Sequence, residues 1–222
     1  MRCLHFSIVV AALWMVAGCS VIPEQDAVDR AWFMLELPEE PAARSAGRVP
    51  LAVELGSVRV APAYAGKGLV YRLADYRYES DFYNEWFLAP REHFEQLLRE
   101  RWTRAGAAVE LVEDARAARL RGRSAVQLHV LVTALYGDLD AANPDALAQA
   151  ASGTPVQGVG RVAVRAQVQG DDWARLARVE ADSPIYRRSA ARLVAALSQA
   201  TAEVFTELED ELLREARRVA NP

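Results

Sequence analysis

Apolar and polar positions alternate along this chain in ways that divide it into strands and helices. From Ala31 to Leu37 an apolar and aromatic run predicts a first strand, and the Pro- and Glu-bearing stretch from Pro38 to Pro50 predicts the loop after it. Leu51, Val53 and Leu55 share one side of a second strand, and the pattern resumes as Val58 and Val60 beyond Gly56. That shift by one residue predicts a bulge or bend at the glycine. After Gly66-Lys67-Gly68, residues Leu69–Leu73 and Tyr76–Glu79 read as further extended structure. Pro90 then opens a helix in which Phe94, Leu97, Leu98 and Trp102 form one stripe, with Gly106 as its stop. Ala107–Val112 is apolar enough for another strand.

Two longer alternations follow. Ala125–Tyr136 places Val126, Leu128, Val130, Val132 and Ala134 on one face and Leu131 and Leu135 on the other, so both faces are expected to be partly covered. Val162, Val164, Ala166 and Val168 alternate with Ala163, Arg165, Gln167 and Gln169, which predicts one dry and one wet face. Gly137–Gly160, rich in Ala, Gly, Asp and Pro, reads as a surface loop between them, and Trp173–Ala181 completes a meander. A helix from about Pro184 to Val219 closes the chain on a stripe of Leu193, Leu197, Val204, Leu208 and Leu212. Its acidic side, Glu207 to Glu211, reads as a wetted surface. The fold class that results is α/β or α+β: a single domain with a mixed or antiparallel sheet packed by an amphipathic helix and a long C-terminal helix.

The N-terminus follows a different logic. Arg2 precedes an uncharged apolar run from Phe6 to Val16, too short for a spanning helix of about 20 residues and suited to a secretory leader. Val16-Ala17-Gly18-Cys19 then ends the leader on a thiol. In bacterial lipoproteins such a box places the cysteine at the mature N-terminus, with diacylglycerol on its sulfur and usually a further acyl chain on its amine. Cys19 is accordingly the expected lipid attachment site. Residues 1–18 read as leader, 19–30 as acylated terminus and polar tether, and 31–222 as the folded domain. Ser20, where an Asp would mark inner-membrane retention, favours the outer membrane.

Charge and composition narrow the function. The formal charge of −4 over the 222 residues becomes more negative once Arg2 leaves with the leader, which disfavours a nucleic-acid partner. With 52% apolar residues the chain can bury a substantial core. Cys3 leaves with the leader and Cys19 is acylated, so no disulfide is expected. The chain carries no G-x-S-x-G elbow, P-loop, H-E-x-x-H or C-x-x-C motif, so no catalytic set, cofactor or metal site is expected. His93 reads as a solvated histidine and His129 as a satisfied, partly buried one. The constellation that exceeds ordinary core packing is aromatic. Tyr71, Tyr76, Tyr78, Phe82, Tyr83, Trp86 and Phe87 crowd a stretch that also carries Arg72, Arg77, Glu79, Asp81 and Glu85. Rings not needed in the core suit a surface for a protein partner or an apolar ligand.

The stretch Gly68–Arg72, then Tyr78–Pro90 (Tyr-Glu-Ser-Asp-Phe-Tyr-Asn-Glu-Trp-Phe-Leu-Ala-Pro), then the helix ending Arg101–Gly106, resembles the ABC-type transport auxiliary lipoproteins. That family includes the lipoprotein of the paraquat-inducible Pqi system and relatives encoded with MCE-domain transporters. Val58-Arg59-Val60-Ala61-Pro62 and the Ala-rich closing helix extend the likeness in layout. The Trp86-Phe87 pair and the Arg101-Trp102 helix end agree with one branch of the family more than with the Pqi branch. The resemblance implies a non-enzymatic periplasmic domain held on the outer membrane by its N-terminal lipid. Its implied partners are an MCE-domain protein and an ABC permease and ATPase, with phospholipid as a cargo and homo-oligomerisation compatible. The alternative is a structural or assembly lipoprotein, pilotin-like or a barrel-assembly accessory, with no lipid cargo.

Overall fold

The computed structural model describes residues 29–38, 50–73, 76–104, 107–139 and 156–220. Cys19, the stretch that reads as a leader and most of the one that reads as a tether lie outside the described residues. The order of elements is β1 (Ala31–Phe33), β2 (Leu51–Val60), β3 (Gly68–Arg72), β4 (Tyr78–Trp86), α1 (Pro90–Trp102), β5 (Val109–Val112), α2 (Ala115–Leu120), β6 (Ala125–Asp138), β7 (Gly158–Gln169), β8 (Ala174–Ile185) and α3 (Ala190–Ala220), with a 3-10 turn at Pro62–Tyr64.

One mixed sheet of eight strands is organised around β6. On one side, β6 pairs antiparallel with β7 and β7 with β8, giving the expected meander. On the other side, the first part of β6 pairs in parallel with β2, which pairs in parallel with β5. The end of β6 instead meets β3, through Tyr71 opposite Gly137 and Arg72 opposite Asp138. From β3 the sheet continues to antiparallel β4 and then parallel β1. The long connection read as a surface loop from Gly137 to Gly160 is shorter than expected, because β6 runs on to Asp138 and β7 begins at Gly158.

Both helical stripes are buried on one face of this sheet. Phe94, Leu97, Leu98 and Trp102 of α1 join Leu193, Leu197, Val204, Leu208 and Leu212 of α3 in a single core with Val53, Leu128, Val130, Val132, Val162 and Val164. Phe94 and Phe205 meet edge to face at 5.9 Å between centroids, an arrangement that matches positive ring edges to a negative face. The close seating of α3 depends on Gly160. A Cβ built there would lie 2.9 Å from the Ala196 Cβ and 3.0 Å from helix backbone atoms. The sheet's opposite face carries α2, whose Ala115 and Ala118 pack on Ala52 and Ala125.

Two bulges set these faces. The pairing of β2 with β6 shifts between Leu55 and Ser57, where Gly56 was expected to break the pattern. A Cβ at Gly56 would strike the His129 ring, 2.5 Å from its Cε1. That ring is half-buried, and its Nδ1 lies 2.9 Å from the Ser57 hydroxyl. The second bulge lies between Val132 and Ala134 and was not anticipated. It moves Leu135 onto the helix side with Val132 and sends Ala134 and Tyr136 to the other face, correcting the simple alternation.

α2 has no counterpart among the elements that the sequence pattern predicts. Its start is fixed by Asp114, whose side chain accepts the Ala117 N–H at 2.8 Å, while a Glu54 carboxylate oxygen accepts the Ala115 N–H at 3.0 Å. α3 begins at Ala190, later than expected, because Pro184 and Ile185 still pair with β7.

Candidate functional site: an aromatic ledge and a tyrosine cluster

The seven aromatic residues singled out in the sequence do not form one surface. Trp86 is 2% exposed and belongs to the core, with the His93 ring edge-on at 6.2 Å. Tyr71 is half-buried against the same core and lines a cavity of about 280 Å³ with Asp81, Asn84, Arg188, Ser189 and Leu193. Burial, reinforced by Asp81, pushes its hydroxyl up to about 12. Tyr76 stands at the tip of the β3–β4 turn, with φ of 60° and its ring almost wholly exposed. The remaining four rings fall into two groups.

Phe82, Tyr83 and Phe87 form the first group. Val70 pairs with Ser80 and Gly68 with Glu85, so two steps along β3 match five along β4, and residues 81–84 are pushed out of the ladder with β3. Asp81 holds this bulge in shape: its Oδ1 accepts the N–H of Tyr83 at 2.9 Å and of Asn84 at 3.0 Å, and its Oδ2 accepts the Asn84 side-chain amide at 2.9 Å. Phe82 and Tyr83 project from it with centroids 5.3 Å apart, edge to face. Trp32 of β1, opposite Glu85, adds a further exposed ring that the strand pattern alone does not mark. Exposures of 59% for Trp32, 64% for Phe82 and 59% for Phe87 show that this ledge is not core. Two cations border it. The Arg30 guanidinium lies 4.9 Å above the Phe82 ring, and the Lys67 ammonium donates to the Phe87 carbonyl at 3.1 Å.

Tyr78 belongs to the second group, on the sheet face away from α1 and α3. Its ring meets Tyr136 edge to face at 5.5 Å, and Tyr136 stacks on Tyr64 at 5.7 Å. Two ion pairs flank these rings, Arg72 with fully buried Asp138 and Arg161 with Asp182 through two guanidinium nitrogens. Burial raises the Tyr64 hydroxyl to about 12, with the neighbouring tyrosines adding to it, and burial likewise raises Tyr136. The Arg161 guanidinium, bonded to Asp182, is held more firmly protonated than usual, as is Arg72 by its bond to Asp138. With their protons held more tightly than usual, the Tyr64 and Tyr136 phenols stay neutral at physiological pH and stack on one another. Tyr64, Tyr136 and the two ion pairs were not anticipated, since they come from five separate segments and only the sheet register assembles them.

Two side chains expected at the surface are buried and structural. His93 is 1% exposed. Its Nε2 lies 3.1 Å from the Leu35 N, whose N–H it accepts when the ring proton is on Nδ1, and 3.2 Å from the Leu35 carbonyl oxygen, to which the other tautomer donates. It thereby ties the segment after β1 to α1, and burial lowers its affinity for a proton. Glu209, read as part of a wetted acidic face, is 6% exposed. It accepts from the Arg101 Nε at 2.6 Å, from an Arg101 terminal nitrogen at 3.0 Å and from the Trp102 indole at 2.8 Å, bolting α1 to α3. Among the described residues, no group of three or more His, Cys, Asp or Glu side chains is placed to hold a metal ion. No helix among them is long and apolar enough to cross a membrane.

Comparison with known proteins agrees with this architecture. No curated protein matches the chain by sequence. A crystal structure of a Xanthomonas campestris protein of the DUF330 family is similar, with a TM-score of 0.60 at 14% identity over 86% of this chain and 100% of that one. Another, of an uncharacterized protein, has a TM-score of 0.57 at 15% identity over 83% of this chain and 99% of that one. At such identities the likeness shows the fold. The family model for the ABC-type transport auxiliary lipoprotein component matches residues 33–209, from the end of β1 to deep within α3. The chain belongs to the family of ABC-type transport auxiliary lipoprotein components.

Proposed function

We propose that this chain is a non-enzymatic lipoprotein of the outer membrane, anchored at Cys19, that serves as the auxiliary component of an ABC/MCE-type system moving phospholipid or another apolar compound between membranes. On this reading residues 1–18 are a cleaved leader, 19–30 an acylated tether and 31–222 the working domain. Family membership carries the proposal. The sequence adds a leader that ends on a thiol after small residues, with Ser20 following it. Two or three acyl chains suffice for stable anchoring, where a single chain binds only reversibly.

The buried polar groups are occupied in holding the fold. Glu209 is engaged by Arg101 and Trp102, Asp138 by Arg72, and His93 by Leu35. What faces outward is aromatic and suited to contact: Tyr76 and Tyr78 near the turn, and Phe82, Tyr83 and Phe87 on the ledge. An ATPase elsewhere in the system supplies the energy, and an MCE-domain protein with its permease is the proposed partner.

Affinity purification of the acylated protein in mild detergent, followed by mass spectrometry, tests this reading. Recovery of an MCE-domain protein with its permease or ATPase is expected. Recovery of barrel-assembly or secretion components in their place would overturn it in favour of an assembly role.

A further inference from the structure

We infer that the ledge formed by Trp32, Phe82, Tyr83 and Phe87, with Arg30 and Lys67, seats the domain on the phospholipid leaflet that holds its own anchor. The inference rests on acylation of Cys19 as proposed above and goes beyond it: the domain does not hang from its tether with any side outward, but lies with one chosen face against headgroups.

Where the tether meets the domain is the first argument. Arg30 is its last residue and is stacked over the Phe82 ring, so the chain enters the domain at the ledge itself. From Ser20 to Arg30 the tether reaches at most roughly 35–40 Å when fully extended, and less in any relaxed form. A lipid at its far end therefore ties the domain to the membrane by this edge of the sheet, while the β8 edge lies across the whole sheet from it.

Chemistry is the second argument. Trp, Tyr and Phe rings beside Arg and Lys are the side chains that settle at the level of lipid headgroups, where rings meet the acyl boundary and cations meet phosphates. Glu85 lies between Trp32 and Phe87 on this face, which fits seating among headgroups and excludes deep insertion into hydrocarbon. Asp81 offers little free charge outward, because its carboxylate accepts three hydrogen bonds inside the bulge. That bulge is the third argument: three polar bonds are committed to holding two large rings out of the ladder, which is the opposite of what core packing asks.

The test uses the acylated protein reconstituted into vesicles of phosphatidylethanolamine and phosphatidylglycerol whose acyl chains carry bromine near the headgroup. Of the tryptophans beyond the leader, Trp86 and Trp102 are buried and Trp173 lies outside the ledge, so bromine should quench chiefly Trp32. Emission should fall measurably, by up to roughly a quarter if quenching of that one ring in four is complete, relative to unbrominated vesicles. Trp32→Phe should abolish that fall, and Phe82→Ser combined with Phe87→Ser should sharply reduce it while the protein still sediments with the vesicles. Unquenched Trp32 in a protein that carries its acyl chains and sediments would overturn the seating and leave the anchor intact. A mature protein whose mass shows no acyl group on Cys19 would overturn both.

Discussion

Replacing Glu209 by Ala is the sharpest probe of how α1 and α3 are joined. Its carboxylate and the Arg101 side chain are only 8% and 7% exposed, and the substitution removes three hydrogen bonds at once: two from the guanidinium at 2.6 and 3.0 Å and one from the Trp102 indole at 2.8 Å. Arg101 keeps its bond to the Thr206 hydroxyl at 3.1 Å. Removing one member of a buried pair generally costs about 3–5 kcal/mol, because the other charge stays behind in a poorly hydrated place. The retained Thr206 bond puts this case near the lower end, about 3 kcal/mol. For a domain of this size that corresponds to a fall in Tm of roughly 6–12 °C. Urea denaturation of the mature chain with Cys19→Ser, followed by tryptophan fluorescence, measures it. The paired replacement Arg101→Leu with Glu209→Leu removes both charges and should be less damaging than the sum of the single changes, with the unmatched Trp102 indole accounting for most of what remains. A loss below about 1 kcal/mol for Glu209→Ala, or strict additivity in the pair, would refute the reasoning.

Further expectations follow from the same geometry. Gly160→Ala should destabilise by about 1–3 kcal/mol, because the new methyl meets the backbone of α3, whereas Gly66→Ala, where a Cβ meets nothing, should change little. Equal urea midpoints for the two variants would contradict that packing. His93 binds a proton less readily folded than its ordinary 6.5, since burial disfavours the charged ring, so the unfolded chain takes up the proton first. Its contribution to stability is complete above pH 6.5 and declines as pH falls below that value; His93→Gln should flatten the stability–pH curve there by up to about 1.4 kcal/mol per pH unit, and unchanged slopes would show that His93 is not the titrating group. Asp81→Ala should cost about 1 kcal/mol and speed hydrogen exchange at the amides of Tyr83 and Asn84, and unaltered exchange would mean that the bulge holds its shape without the carboxylate.

Much of the scaffold was legible because its periodicity is strong and local. The stripes of α1 and α3 and the dry side of β7 follow from a repeat of 3.6 or 2 residues, as does its wet side at Arg165, Gln167 and Gln169 but not at Ala163, which is buried with Ala134 and Tyr136, and Gly56 announced its own bulge. The bulge at Thr133 had no such marker: a β-branched residue in an apolar strand looks the same whether or not the ladder slips there. α2 is six residues long and nearly all Ala and Arg, too short for a periodic signal, and only Asp114 as a helix cap hinted at it. His93 and Glu209 sit beside apolar stripes and read as solvated, yet their partners come from distant segments, Leu35 before and Arg101 more than a hundred residues away. The aromatic run posed the same difficulty in miniature. Alternation says that Trp86 and Phe87 point opposite ways, but not which of the two meets His93.

That Cys19 carries a lipid is the claim tested by metabolic labelling with radioactive palmitate in the native cell, followed by membrane fractionation. Wild-type protein should carry label and sediment with the outer membrane, while Cys19→Ala should leave an unlabelled precursor absent from that fraction. Labelling and fractionation identical in both would contradict the claim.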